Sequence, residues 1–136
     1  MVMVAANKNE VEAKRRVLVI DDDPLILQNT VSILNKRGFE AMGVSKIIGI
    51  SSTILRFDPH LIIMDVVMPT LSGAKLLKVL KVSLNKMPGV ILYSGIEPAE
   101  LEKIAKDAVV DDFVPKSDGM FSLLRHVNLF MSGLPA

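Results

Sequence analysis

The stretch VLVIDDDP at residues 17–24 decides the fold, because a short apolar run meets three consecutive carboxylates and a proline there. A run that is apolar at every position is typical of a strand covered on both faces, as in a parallel sheet. Asp23 and Pro24 are residue types that begin a helix, as N-cap and first helical residue. The stretch therefore predicts a strand, a turn and a helix, and leaves Asp21 and Asp22 available for chemistry.

Along the rest of the chain, short apolar runs continue to alternate with segments whose apolar residues recur at helical spacing. The predicted strands are VLVI (17–20), FEAMGV (39–44), LIIM (61–64), GVILY (89–93) and DFVP (112–115). The predicted helices cover residues 24–37, 46–56, 72–83, a segment that begins near Pro98, and 119–131. Repeated strand–helix units predict an α/β fold, doubly wound, with a parallel sheet between two layers of helices.

Composition narrows the class of protein. The chain has 136 residues, of which 50% are hydrophobic and 23% charged, and its net charge is +1. This balance suits one globular domain and gives no concentrated basic surface, so we expect no direct binding of nucleic acid. No apolar run approaches the roughly 20 residues of a membrane helix, so we expect no membrane partner. The absence of cysteine excludes disulfides and fits a reducing compartment, and the cytoplasm is the expected location.

The ends of the chain fall outside the strand–helix pattern. Residues 1–16, MVMVAANKNEVEAKRR, lack a sustained apolar segment followed by a cleavage site, so they do not resemble a targeting signal. We expect them to form an N-terminal extension that is a candidate for disorder. The domain proper is predicted to cover residues 17–131, with a C-terminal tail at 132–136.

Polar side chains stand where four of the predicted strands end. Asp21 and Asp22 follow the first strand, Asp65 the third and Ser94 the fourth, and Lys116 ends the fifth. Each residue alone could be a turn or surface residue. The carboxyl ends of parallel strands, however, meet at one edge of the sheet, where ligands of open α/β folds bind. The sequence therefore predicts that these five side chains share one site.

A cluster of carboxylates needs a compensating cation. Two unit charges roughly 4 Å apart repel by about 4 kcal/mol at an effective dielectric constant of about 20. Oxygen-only ligands suit Mg²⁺. The Ser94 hydroxyl and the Lys116 ammonium would add a hydrogen bond and a positive charge for a phosphoryl group. With Asp65 as the nucleophile, such a site can form an acyl phosphate.

Over about residues 16–131, the sequence resembles the receiver domain of two-component response regulators, the CheY-like family. The resemblance rests on VLVIDDDP (17–24), DPHLIIMDVVMPTLSG (58–73), VILYSG (90–95) and DDFVPKS (111–117). It implies a flavodoxin-like (βα)5 fold whose five-stranded parallel sheet has the order 2-1-3-4-5. It also implies a signalling module whose own chemistry is limited to Mg²⁺-dependent self-phosphorylation and loss of the phosphate, and not an enzyme.

The resemblance assigns a role to each acidic residue. Asp65 corresponds to the phosphoacceptor and is also a ligand of the Mg²⁺ cofactor. Asp22 corresponds to a direct metal ligand, and Asp21 to a residue that acts largely through water. The backbone carbonyl of Val67 would be a further metal ligand.

Other positions correspond to the phosphoryl-binding and switch residues of the family. Ser94 and Lys116 would bind the phosphoryl oxygens, and Phe113 resembles the switch aromatic that follows the movement of the hydroxyl residue. The two positions that flank the phosphate are Val67 and Ile96. Because both are apolar and cannot orient water, we expect slow loss of the phosphate.

The resemblance also implies partners. The phosphoryl group would come from a sensor histidine kinase or a phosphotransfer protein, and a downstream effector protein or domain would bind the face formed by the fourth helix, fifth strand and fifth helix. Dimerisation through that face is left open. The chain departs from the family beside Lys116, where a proline usually follows the lysine but here Pro115 precedes it and Ser117 follows. The shape of this loop is therefore left open.

Three other functions share parts of this pattern. A pseudo-receiver would keep the fold as a protein-interaction module without phosphorylation. An aspartate-nucleophile phosphatase of the haloacid dehalogenase type would use Asp21 and Asp23, but it needs a hydroxyl residue where Leu25 stands. A flavodoxin would bind a flavin phosphate, which three acidic residues in the first loop would repel.

Overall fold

A computed structural model describes residues 13–68 and 72–135 and contains one parallel sheet of five strands. The strands are β1 (Arg16–Ile20), β2 (Glu40–Val44), β3 (Leu61–Met64), β4 (Gly89–Ser94) and β5 (Asp112–Pro115). Their order is β2-β1-β3-β4-β5, and every neighbouring pair is parallel. The predicted fold and strand order are therefore confirmed, and the order reverses between β1 and β3.

Five helices cover the two faces of the sheet. They are α1 (Pro24–Lys36), α2 (Ile50–Phe57), α3 (Gly73–Ser83), α4 (Pro98–Ala108) and α5 (Met120–Ser132), and a 3-10 turn at Lys116–Asp118 connects β5 to α5. No helix in the described part of the chain is long and apolar enough to cross a membrane.

The side chains of β1 alternate between two hydrophobic cores, as the pleat of a strand requires. Val17 and Val19 pack in the core formed with α1 and α5. Leu18 and Ile20 pack in the core formed with α2, α3 and α4. All four side chains are buried. This explains why β1 is apolar at every position and confirms that the fold is doubly wound.

The start of α1 follows the predicted capping pattern. Oδ1 of Asp23 accepts hydrogen bonds from the backbone N–H groups of Leu25 at 3.0 Å and Ile26 at 3.3 Å. The helix ends at Lys36, just before Gly38, whose φ of +95° lies in the region that favours glycine. The strand, turn and helix predicted from residues 17–24 are thus present.

The predicted start of the second helix, at residue 46, is wrong. This helix begins at Ile50, because Gly49 adopts a φ of +75° that interrupts a right-handed helix. Ile48, which a longer helix would have used for packing, is 90% exposed. The spacing of apolar residues in this segment therefore did not predict where the helix begins.

The structured unit begins with Arg16 in β1 and ends with Ser132 in α5. The predicted domain bounds, 17 and 131, lie one residue inside these positions. Most of the predicted extension, residues 1–12, lies outside the described residues, so the division into extension, domain and tail stays a prediction.

Candidate functional site

The backbone places Asp21 and Asp65 beside each other at the carboxyl ends of β1 and β3. The N–H of Asp65 donates to the carbonyl of Ile20 at 3.1 Å, and the N–H of Asp21 donates to the carbonyl of Val44 at 3.2 Å. These bonds continue the sheet pairing by one residue beyond the strands. Both carboxyl side chains are almost fully buried as a result, at 3% and 7% residue exposure.

Lys116 joins these two aspartates. Its Nζ donates to Oδ2 of Asp65 at 2.7 Å and to Oδ2 of Asp21 at 2.9 Å. The ammonium also lies 5.8 Å from the centre of the Tyr93 ring, within the range of a cation–π contact. One cation therefore partly neutralises two carboxylates in a site that is largely removed from water.

The protonation of Lys116 is set by opposing effects. Burial of the ammonium would lower its pKa, but the hydrogen bonds to Asp65 and Asp21, with the charges of both carboxylates, together raise the pKa above its ordinary value. The side chain is thus held in its charged form, which is the form that can bind phosphoryl oxygens.

The other oxygen of Asp65 is also held. Oδ1 accepts a 2.7 Å hydrogen bond from the Ser94 hydroxyl and a 3.0 Å bond from the N–H of Val67. Ser94 ends β4 and is fully buried. The carboxylate of Asp65 therefore has a fixed orientation. A fixed orientation favours attack by a nucleophile because the reacting atom is already positioned.

The acidic cluster has the chemistry and spacing of a magnesium site. One carboxylate oxygen from each of Asp21, Asp22 and Asp65 lies within 4.8 Å of the other two. Mg²⁺ binds carboxylate oxygens and usually keeps several of its waters, so the three residues need not all bind the ion directly. Asp22 is exposed, so the cluster opens to solvent on one side. These residues therefore fit a hard cation that keeps part of its water shell.

Apolar side chains border the site. Val67, in the turn that follows β3, is 57% exposed. Ile96 and Phe113 are partly buried and pack against the core on the side of α2, α3 and α4. Phe113 lies on β5 in register with Leu92 of β4. Val67 and Ile96 thus lie in the turns that follow β3 and β4, whereas Phe113 is the second residue of β5; their flanking and switch roles stay predictions.

The loop after Lys116 is a single 3-10 turn, Lys116–Asp118, followed by Gly119 with a φ of +89°. The N–H of Gly119 donates to the carbonyl of Lys116 at 3.1 Å, which closes the turn. The lysine is therefore positioned without a proline after it, and the departure from the family sequence does not remove its contacts with the aspartates.

Tyr93 was missed by the sequence analysis. Alternate residues of a strand face the same side of the sheet, so Tyr93 lies with Ile91 on the side of α1 and α5. This alternation would have predicted that the Tyr93 ring lies close to the last residues of the neighbouring strand, β5. Burial raises the pKa of the Tyr93 phenol, and the Lys116 charge opposes that rise. The ring forms an apolar support for the Lys116 ammonium.

Comparison with known proteins assigns this arrangement to a family. The model of the response regulator receiver domain matches residues 17–128. The chain belongs to this family. Receiver domains of two-component systems are signalling modules and not classical enzymes, so the phosphatase alternative is not favoured.

Individual relatives agree with the family match. The transcriptional regulatory protein KdpE of Mycobacterium tuberculosis is 32% identical over 111 residues, which are 82% of this chain and 48% of KdpE. The receiver domain of the Francisella response regulator 1452 is 26% identical, with a TM-score of 0.75 over 86% of this chain and 96% of that domain. The chemotaxis protein CheY4 of Vibrio cholerae, at 21% identity, has a TM-score of 0.77 over 87% of this chain and 99% of CheY4.

The receiver domain accounts for only part of the curated relatives. The chain spans less than half of the length of KdpE, and 30% of the length of a protein-glutamate methylesterase/protein-glutamine glutaminase of Rhodospirillum rubrum. What those longer proteins do is therefore a property of the whole relative, and it is not carried over to this chain.

Proposed function

We propose that Asp65 accepts a phosphoryl group from the phosphohistidine of a sensor histidine kinase or phosphotransfer protein. One observation supports this assignment most strongly. Both oxygens of the Asp65 carboxylate are hydrogen-bonded by groups that also suit phosphoryl oxygens, namely the Ser94 hydroxyl and the Lys116 ammonium. The acceptor and its charge-stabilising partners are thus already assembled.

In the proposed reaction, an Asp65 oxygen attacks phosphorus as the bond between phosphorus and the donor imidazole breaks. The imidazole leaves and takes up a proton, and Asp65 becomes an acyl phosphate. Phosphoryl transfer depends mainly on positioning and charge neutralisation. Lys116 supplies positive charge to the phosphoryl oxygens, and Ser94 supplies a hydrogen bond once its hydroxyl turns from the carboxylate to the phosphate.

Asp22, Asp65 and the backbone carbonyl of Val67 would hold Mg²⁺ directly. Asp21 would act largely through water, as the resemblance to receiver domains implies; its Oδ1 accepts the N–H of Asp23 at 2.9 Å and its Oδ2 accepts Lys116. The bound ion would supply positive charge to the phosphoryl oxygens and lower the repulsion among the carboxylates.

The proposed readout is the face formed by α4, β5 and α5. Ser94 is separated from the first residue of α4 by three residues, so a movement of its side chain toward the phosphate would act directly on the β4–α4 turn. Phe113 on β5 would follow that movement. A downstream effector would bind this face in the cytoplasm, and a homodimer formed through it is a second way of using the same surface.

The experiment that tests this proposal is incubation with Mg²⁺ and acetyl phosphate, followed by intact mass measurement. We expect one phosphoryl group on the wild type, none after chelation of the metal, and none on Asp65→Asn. The matched control is Asp107→Asn, because Asp107 lies on α4, outside the acidic cluster, and should leave the phosphorylated fraction unchanged.

The pseudo-receiver gives the opposite results. It is favoured if the wild type takes up no phosphoryl group and shows no spectral change with beryllofluoride, or if Asp65→Asn responds equally. Titration with Mg²⁺ followed by NMR adds a separate readout, since the proposal requires shifts at Asp21, Asp22 and Asp65.

A further inference from the structure

A groove separates α3 from α4 on the side of the molecule away from α1 and α5. It has a volume of about 290 Å³. Its lining includes the apolar side chains of Ala74 and Leu77 from α3, and of Ile104 and Ala108 from α4. A groove of this size admits one or two apolar side chains of a partner.

A lysine joins the two walls of the groove. Nζ of Lys81 on α3 donates a 2.5 Å hydrogen bond to the carbonyl of Ala108 in the last turn of α4. A cation at a helix C-terminus is favourable because carbonyl groups there lack helical partners. This hydrogen bond therefore links the two helices that form the groove.

Val109 at the mouth of the groove is an unusual residue for its backbone conformation. It has a φ of +54° directly after α4, and its side chain is 77% exposed. A β-branched residue in this region is strained, and glycine is the usual choice at such a helix end. Neither stability nor solubility explains an exposed, strained valine. Contact with a partner would explain it.

Beside the groove, the exposed surface of α3 carries both apolar and positively charged side chains. Lys75, Lys78, Val79 and Val82 are related by spacings of three and four, so they form one contiguous strip on the exposed side of the helix. Val79 is 50% exposed and Val82 is 89% exposed. The helix sequence, GAKLLKVLKVS, contains three lysines and no acidic residue.

We propose that this groove and strip bind an acidic amphipathic helix of a partner protein. Apolar side chains of that helix would occupy the groove and contact Val82 and Val109, and its carboxylates would lie beside Lys75 and Lys78. Helix-in-groove recognition uses this combination of apolar anchors and flanking charge.

Charge and shape argue against two other occupants. In a symmetric dimer through this face, the α3 lysines of one copy would be close to those of the second copy, and like charges would repel. A bilayer could contact the protruding Val82 and Val109, but it could not fill the concave groove between α3 and α4, whereas the side chains of a partner helix can do both.

The test uses NMR titration of the whole ¹⁵N-labelled protein with two designed helical peptides. Both peptides carry leucines at positions i, i+3, i+4 and i+7, and the other positions are glutamate in one and lysine in the other. We expect the glutamate peptide to shift signals of residues 74–82 and 104–109, and to bind about tenfold more tightly than the lysine peptide.

Three variants make the test specific. The double variant Lys75→Glu/Lys78→Glu should reverse the preference between the peptides, whereas Lys36→Glu at the end of α1 should not change it. Val109→Gly should be more stable than the wild type, because it relieves the backbone strain, and yet bind the glutamate peptide several-fold more weakly. If Val109 contributed only to the fold, Val109→Gly would not combine higher stability with weaker peptide binding.

Several results would overturn the proposal. These are equal binding of the two peptides, shifts confined to another face, or unchanged peptide affinity in Val109→Gly. Shifts of the groove signals by anionic phospholipid vesicles but not by the glutamate peptide would indicate a membrane surface. Concentration-dependent shifts of the same signals without peptide would indicate self-association.

Discussion

The Ser94 hydroxyl donates a 2.7 Å hydrogen bond to Oδ1 of Asp65, and this bond joins the ends of two neighbouring strands inside the site. Phosphorylation of Asp65, the proposed phosphoacceptor, would remove the negative charge of this carboxylate and weaken its hydrogen bond with Ser94. The phosphoryl oxygens would then offer the hydroxyl a charged acceptor. The same contact would thus orient the free carboxylate and respond to its modification.

Ser94→Ala removes this hydroxyl. We expect phosphorylation by acetyl phosphate to slow by roughly 10- to 150-fold, the effect of losing one hydrogen bond to a charged group, worth about 1.5–3 kcal/mol. The measurement is the initial rate of appearance of the phosphorylated mass. Ser122→Ala, at a buried serine on α5, is the matched control and should keep the wild-type rate. Equal rates in the two variants would show that the Ser94 hydroxyl does not contribute to phosphorylation.

Lys116→Met removes the cation between two buried carboxylates. We expect the free energy of unfolding without metal to fall by about 3 kcal/mol, because Asp21 and Asp65 would lose their shared partner. Millimolar Mg²⁺ should restore more stability to this variant than to the wild type, since the ion lowers the same repulsion. Urea unfolding with and without Mg²⁺, at equal ionic strength, measures both effects.

Lys106→Met is the control for that experiment. Lys106 pairs with Glu102 at 3.1 Å on the exposed side of α4, and such a pair contributes about 0.3–0.5 kcal/mol. A loss in Lys116→Met no larger than the loss in this control would show that the contacts of Lys116 do not contribute net stability.

Ile96→Asn tests the apolar border of the site. An amide there could orient a water molecule toward the phosphoryl group, so we expect loss of phosphate to accelerate about tenfold. Decay of the phosphorylated mass after removal of the donor measures the rate, and Ile48→Asn, at a 90% exposed position, is the control. Wild-type decay much faster than that of Ile96→Ala would contradict a shielding role.

The layout of the site was predictable because strand ends determine it. An apolar run identifies a buried strand, and the first polar residue after it must stand at the edge of the sheet. The positions of Asp21, Asp65 and Ser94 follow from this rule. Their individual contacts do not follow, because the length and rotamers of Lys116 decide which oxygens it reaches.

Other features could not be predicted from local pattern. The start of α2 depends on the positive φ of Gly49, and the apolar residues before it gave the opposite indication. His126 on α5 lies with its Nδ1 2.5 Å from Oδ2 of Asp112, a pair formed only when α5 packs beside β5. Contacts between segments that are distant in the sequence depend on how helices and strands pack. The spacing of residues along the sequence does not determine that packing.

His60 predicts a dependence of stability on pH. Its Nδ1 accepts the N–H of Arg16 at 3.0 Å, and its pKa is lowered by burial first and then by the charges of Arg16 and Arg15. Folding therefore favours the neutral ring. This contribution to stability is present above the unfolded pKa of about 6.5 and is lost as the pH falls through the lower folded pKa.

The corresponding measurement is urea unfolding at pH 7.5 and pH 5.5. The wild type should lose more stability over this interval than His60→Asn, whose amide oxygen can accept the Arg16 N–H at both pH values. Identical losses would show that another group causes the dependence.

Gly73→Ala tests how closely α3 packs against the turn that follows Asp65. A Cβ atom at this position would lie 2.7 Å from Cα of Val66 and 2.8 Å from the carbonyl oxygen of Asp65. Both neighbours are backbone atoms, so the turn itself would have to move. We expect a loss of about 2 kcal/mol in the free energy of unfolding, although alanine is the better helix former.

The same displacement should slow phosphorylation, because the N–H of Val67 that orients Asp65 belongs to this turn. Gly133→Ala is the matched control, since the nearest atom to its added Cβ would be 3.4 Å away. Urea unfolding and the rate of phosphorylation by acetyl phosphate are measured on both variants. If Gly73→Ala were as stable and as reactive as Gly133→Ala, the close packing of α3 would not be what holds Asp65 in position.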